Sequence, residues 1–224
     1  MTKKILIIGF PHNGTSILRC IIGRCNNVHE IYEEEYNPLN NNTKTEKDFL
    51  LMKIPFTKED FFTNEYEDII KIFIIRNPLF VFSSINKRFK YNFPNCHSIN
   101  NYINTVKLFI KYSNNYKNIY TIKYEDLFIN NYQNFKNILD NIGLIYTDNI
   151  FTDKHNTSWG WPEEAIPKHI PDNTDHANYR VWQNCQEFVS NNELNKIDLT
   201  QTQKEQILNS EYIRQIYPDI DTIL

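Results

Sequence analysis

A three-layer α/β fold around a mainly parallel central sheet is what this sequence predicts, on three observations. Short, nearly continuous apolar runs recur along the chain, as strands covered on both faces require. Between them, apolar residues repeat at helical spacing. The runs stop at residues that turn or break the chain, at Gly9, at Pro55 and at Asn77-Pro78.

The first run, Lys4-Ile-Leu-Ile-Ile-Gly9, reads as a strand. A short loop leads to Gly14, Thr15 and Ser16, and the apolar periodicity that follows reads as a helix. Tyr32-Glu-Glu-Glu-Tyr-Asn-Pro38 and the polar stretch through Lys47 read as a surface connection. Phe49-Leu-Leu-Met-Lys-Ile-Pro55 is a short buried strand stopped by proline. Ile69-Ile-Lys-Ile-Phe-Ile-Ile75 has the strongest strand character, is expected as the third strand, and delivers Arg76 at its end. Ile99, Tyr102, Ile103, Val106, Phe109 and Ile110 lie at helical spacing behind Ser98, a capping residue type. A strand over 118–124 follows, then a helical stripe of Tyr132, Phe135, Ile138, Leu139 and Ile142 closed by Gly143. Beyond about Phe151 the pattern becomes irregular until helical segments near Glu187 and Gln203, and no internal repeat is visible.

At 224 residues, with no Gly/Pro/Ser-rich linker, the chain is expected to form one domain over 1–224. A net charge of −3 with both signs interspersed provides neither a basic stripe for nucleic acid nor a polybasic patch for a membrane, so a small ligand is expected. Cys20, Cys25, Cys96 and Cys185 lack a CxxC spacing and fit reduced thiols in a cytoplasmic protein. No signal-peptide core or membrane-length apolar run is present, which agrees with that location. His29, His97, His155, His169 and His176 have no metal-ligand spacing, and no metal site is expected.

The spacing Gly9-x-x-x-x-Gly14 at a strand-to-helix junction is that of a phosphate loop, so the expected fold is P-loop NTPase-like. In such a loop, backbone N–H groups and a helix N-terminus converge on an anion. Thr15 stands where a nucleotide triphosphatase carries lysine. The loop therefore points to phosphate or sulfate held without ordinary ATP chemistry.

Phe10-Pro-His-Asn-Gly-Thr-Ser16, together with Ile75-Arg-Asn-Pro78 and Ser84, resembles the sulfotransferase family, which uses 3′-phosphoadenosine-5′-phosphosulfate (PAPS). The resemblance implies that His12, Asn13, Gly14, Thr15 and Ser16 cradle the 5′-phosphosulfate, and that Arg76 and Ser84 hold the 3′-phosphate. Arginine presents a fork of donors, and a serine about two helical turns along can donate to the same group. Lys53-Ile-Pro55, Lys123-Tyr-Glu-Asp-Leu127 and the region from His176 to Gln183 resemble further family segments. The product nucleotide implied is adenosine 3′,5′-bisphosphate (PAP), with no metal required.

Where the family carries a loop lysine or arginine this chain has His12, and Asn13 replaces a serine. A titratable imidazole thus stands in for a permanent cation; clustered anions favour its protonated form, and Asn13 keeps a donor in the loop. Glu33, Glu34 and Glu35 follow the first helix where several sulfotransferases carry the glutamate that deprotonates the acceptor, with Glu33 or Glu34 favoured by counting. Lys53 is a candidate for offsetting the missing loop cation. Trp159-Gly-Trp-Pro162 reads either as a stacking surface for the acceptor or as a loop anchor. The acceptor, a small molecule or a glycan, would be chosen by loops near 36–48 and 88–98 and by the region after Phe151. Two other readings stay open, a P-loop kinase of a small metabolite and a catalytically silent nucleotide-binding module.

Overall fold

The computed structural model describes residues 2–113, 116–152 and 197–223. Five strands, β1 (Lys3–Ile8), β2 (Val28–Glu34), β3 (Phe49–Lys53), β4 (Ile70–Ile75) and β5 (Ile119–Lys123), form one sheet in the order β2-β3-β1-β4-β5. Every pairing is parallel. The helices are α1 (Thr15–Gly23), α2 (Pro78–Phe89), α3 (Ile99–Tyr112), α4 (Gln133–Ile142), α5 (Asn149–Thr152), α6 (Gln201–Leu208) and α7 (Glu211–Ile216). Among the described residues, no helix is long and apolar enough to cross a membrane.

The continuous apolar runs arise because both faces of the sheet are covered. In β1, Ile5 and Ile7 pack with Leu18, Ile21 and Ile22 of α1 and Phe135 and Leu139 of α4. Leu6 and Ile8, pointing the other way, join Val81, Phe82 and Ile85 of α2, Tyr102 and Val106 of α3, Ile207 of α6 and Ile213 of α7. That is the three-layer arrangement the alternation of strand and helix predicts. The Ser98 side chain caps α3 by accepting from the Asn101 N–H at 3.3 Å. Gly143 ends α4 in the left-handed region at φ 88°. Thr200 and Gln203 close α6 with a reciprocal capping box.

One element departs from the sequence reading. The segment taken as a surface connection from residue 32 begins inside a strand, β2, so the strand that delivers Arg76 is the fourth and not the third. β2 lies at the sheet edge and carries Glu30, whose carboxylate meets the buried guanidinium of Arg19 on α1 at 2.9 Å. An inward charge matched from the neighbouring helix replaces the apolar residue that the pattern rule looks for. Among the described residues no disulfide joins Cys20, Cys25 and Cys96, and burial raises the Cys25 thiol to about 12. Cys185, the Trp159–Pro162 and His176–Gln183 segments, His155, His169 and Glu187 lie outside the described residues.

The topology determines where a ligand is received. β1 sits at the centre, with β3 on one side and β4 on the other, so the carboxyl ends of these three strands open onto the first loop. Leu6 lies fully buried in the sheet core. Leu6→Ala should lower the unfolding free energy by about 2–5 kcal/mol, read from a chemical denaturation curve with an unchanged slope.

Candidate active site

Loop 9–14 is built from consecutive special backbone conformations. His12 has φ 67° and Gly14 φ 94°, both in the left-handed region, and the Asn13 N–H donates to Phe10 O at 3.0 Å. Gly14 then caps α1, whose first-turn N–H groups at Thr15 and Ser16 have no acceptor within the helix. A Cβ on Gly14 would lie 2.5 Å from Cδ2 of Tyr124, so glycine is required by contact as well as by conformation. An anion at this N-terminus meets inward-turned N–H groups and the positive end of the helix.

Arg76 follows β4 directly and is only 9 % exposed. Its guanidinium lies over the Tyr124 ring, 4.2 Å from the centroid, and its Nη1 donates to His12 O at 3.3 Å. The Tyr102 hydroxyl donates to Arg76 O. Asn77 caps α2 ahead of Pro78, its Oδ1 accepting from the Leu79 N–H at 3.0 Å, while its own N–H donates to Glu125 Oε1 at 2.8 Å. Tyr217 donates its hydroxyl to Glu125 Oε2 at 3.2 Å. Burial raises Glu125 against the Asn77 N–H and Arg76, which lower it.

A second group forms where β2 and β3 end. Glu34 and Lys53 are direct partners in the β2–β3 ladder, after an irregularity in which four positions of β2 oppose two of β3. Lys53 Nζ, 2 % exposed, lies 3.4 Å from Glu34 Oε1 and 3.3 Å from Ser16 Oγ. The bulge therefore re-aims Glu34 toward the start of α1, and Lys53 connects the carboxylate to the loop hydroxyl. Glu35 is engaged otherwise, accepting from the Asn37 N–H at 2.7 Å and Asn41 Nδ2 at 2.6 Å. Glu33 lies in β2, with its side chain outside the described residues.

At two loop residues the structure shows contacts that the sequence did not reveal. Asn13 was expected to offer a donor to the anion; its side chain is fully buried and Nδ2 donates to Ile74 O at 3.2 Å, which anchors the loop to β4. His12 was expected as imidazolium at the phosphosulfate. Its Nδ1 instead lies 2.8 Å from Ser84 Oγ on α2, and burial, then Arg88, His97 and Arg76, push its pKa well below the ordinary imidazole value. The cation adjoining the loop hydroxyls is Lys53.

The residues therefore fall into two clusters at the carboxyl ends of the strands: Ser16, Lys53 and Glu34 on one side of loop 9–14, and His12, Ser84 and Arg76 on the other. Tyr102, Tyr124, Glu125 and Tyr217 escaped the sequence reading as site residues. For the three tyrosines the signal was aromatic residues at core positions, whose hydroxyls need partners when buried.

Two outcomes follow. Gly14→Val should lower the thermal midpoint and abolish stabilisation by added inorganic sulfate, because the branched side chain collides with Tyr124 and obstructs the anion position. His12 holds fewer protons in the folded chain than in the unfolded one, so its own contribution to stability should be lost as pH drops below about 6.5. His12→Asn should flatten that part of the curve, measured by denaturation between about pH 6.5 and pH 5.

No protein-family model matches the sequence, and comparison with curated protein sequences finds no match. Comparison of folds does. The chain is similar to the crystal structure of a mouse sulfotransferase complexed with PAP, with a TM-score of 0.62 and 16 % identity over 97 % of this chain and 89 % of that one. It also aligns with a sulfotransferase domain from the curacin biosynthetic pathway, with a TM-score of 0.47 and 11 % identity over 99 % of this chain and 98 % of that one. The five parallel strands and their flanking helices constitute a sulfotransferase fold.

Proposed function

We propose that the protein transfers a sulfuryl group from PAPS to a hydroxyl or amine acceptor, a small molecule or a glycan. The observation that carries this reading is the approach of Lys53 to both Ser16 and Glu34 beside the N-terminus of α1. Sulfuryl transfer needs such a set: donors for the leaving phosphate, a cation where its charge develops, and a base for the acceptor proton. The fold supports the same reading. Thr15 replaces the lysine on which a P-loop kinase relies, and Arg76 stands after β4, where a magnesium-binding aspartate would serve one.

In this reading the first-turn N–H groups of α1 and the Thr15 and Ser16 hydroxyls hold the phosphosulfate. Glu34 accepts the acceptor proton as the acceptor oxygen or nitrogen forms its bond to sulfur. Glu33, its neighbour on β2, is the alternative base. Lys53 stabilises the electron pair left on the phosphate oxygen as the sulfur–oxygen bond breaks, giving adenosine 3′,5′-bisphosphate. Arg76 and Ser84 hold the 3′-phosphate, with Arg76 braced by Tyr124 and Tyr102. His12 joins Ser84 on that side, while Asn13 and Gly14 shape the loop.

Calorimetry should detect binding of adenosine 3′,5′-bisphosphate in preference to Mg-ATP; the opposite preference would overturn the reading in favour of a kinase. Turnover of labelled PAPS against a panel of sugars, alcohols and tyrosine peptides separates an enzyme from a silent binder. Arg76→Ala should weaken the bisphosphate by about tenfold to a hundredfold and leave adenosine 5′-monophosphate nearly unaffected, because one charge-assisted contact is lost. With an acceptor found, Glu34→Gln should slow single-turnover transfer by about 10²–10⁴-fold while nucleotide affinity is retained.

A further inference from the structure

The His12–Ser84 contact is unaccounted for by a role of His12 at the transferred sulfuryl group. Its Nδ1 is 2.8 Å from Ser84 Oγ, and its Nε2 is buried with no hydrogen-bond partner among the described residues. A serine hydroxyl has one proton. If Nδ1 accepted that proton, Ser84 could not donate to a phosphate, and an Nε2–H would be buried without an acceptor. If Nδ1 carries the proton and donates to Ser84 Oγ, the Ser84 proton is free for a ligand and the unpartnered atom is only a lone pair, the cheaper of the two defects.

Resting on the sulfotransferase reading above, we infer that His12 is a positioning residue for the nucleotide 3′-phosphate. It acts through Ser84 and takes up a proton when that phosphate enters. Nδ1–H fixes the Ser84 oxygen, so the hydroxyl proton points to the phosphate beside Arg76. The added proton comes from solvent and sits on Nε2, where the doubly negative phosphate stabilises the imidazolium. No bond of the nucleotide changes.

The groups facing His12 fit this exchange. Arg76 reaches it from the end of β4 through His12 O, Ser84 and Arg88 belong to α2, and His97 lies in the turn before α3, with ring centroids 6.3 Å apart. All of these that carry charge are positive or become so. In the protein without ligand they and burial hold the imidazole well below its ordinary pKa, so at neutral pH it starts neutral and has a proton to gain. An arriving phosphate reverses the sign of the local field. His12 thereby becomes a specificity residue, since only a nucleotide with a 3′-phosphate drives the uptake.

The test is calorimetric titration of the full chain with adenosine 3′,5′-bisphosphate and with adenosine 5′-monophosphate, at about pH 7.5 where the phosphates are already dianionic. Each titration is run in two buffers of different ionisation enthalpy. Uptake of up to about one proton is expected with the bisphosphate and none with the monophosphate. His12→Asn, which keeps a donor for Ser84, should abolish uptake with the bisphosphate affinity reduced by less than about tenfold. His12→Leu, which keeps none, should lose about tenfold or more in the preference for the 3′-phosphate. Retained binding of the monophosphate reports that each variant is folded. Equal uptake for both nucleotides, or uptake that survives in His12→Asn, would overturn the inference and leave the sulfotransferase reading standing. Failure of the wild-type chain to bind either nucleotide would overturn both.

Discussion

Gly14 and Tyr124 approach so closely that no side-chain carbon fits between them, and the rest of the site is referred to that contact. Tyr124 stands at the end of β5 and Gly14 at the start of α1, on opposite sides of β4 and its terminal Arg76. The tyrosine ring closes the gap from below and supports the guanidinium, which in turn donates to the carbonyl of His12. The left-handed residues at 12 and 14 are held by partners on both sides, and the strain of a non-glycine residue there persists because the surroundings enforce it. Preorganisation of the N–H groups follows: they are turned to one side before any anion arrives.

The charged groups obey a different economy. Lys53 lies almost completely buried, yet it stands between a carboxylate and a hydroxyl instead of in a closed pair. An ion pair removed from water contributes little net stability, and what this one does fix is the position of Glu34 beside the start of α1. The Arg19–Glu30 pair beneath α1 likewise fixes register more than it adds stability, matching an inward glutamate of the edge strand to a buried guanidinium. Burial raises Glu30 to about 7 against the pull of Arg19, a measure of how enclosed that position is.

Much of this was legible in the sequence where a residue's role is local. The apolar run into Gly9, the Gly9–Gly14 spacing, the Ser98 cap and the Gly143 stop each act within a few residues, and the structure has them where the pattern puts them. The placement of Arg76 after a strand and Ser84 on the next helix could be read for the same reason, since both positions are set locally. β2 could not, because its defining inward residue is a glutamate whose partner sits on another element. The pairing of Glu34 with Lys53 depends on a bulge, and bulges leave no periodic trace. His12 was read as part of the loop because its sequence neighbours are loop residues, while its imidazole belongs to a cluster formed with residue 84.

The hydrogen bond from Tyr217 to Glu125 joins residues 92 positions apart, and its consequence lies in the order of assembly. Glu125 holds the main chain of Asn77, the residue that turns β4 into α2 behind Arg76. A chain emerging from the ribosome has loop 9–14 and Arg76 long before it has Tyr217. Until then the carboxylate beneath the arginine turn lacks its bond to Tyr217, and that closure carries the entropic cost of a long loop. Arg76 by then already has Tyr102 and Tyr124 beside it, so what the last residues add is a further hold on the turn that follows it.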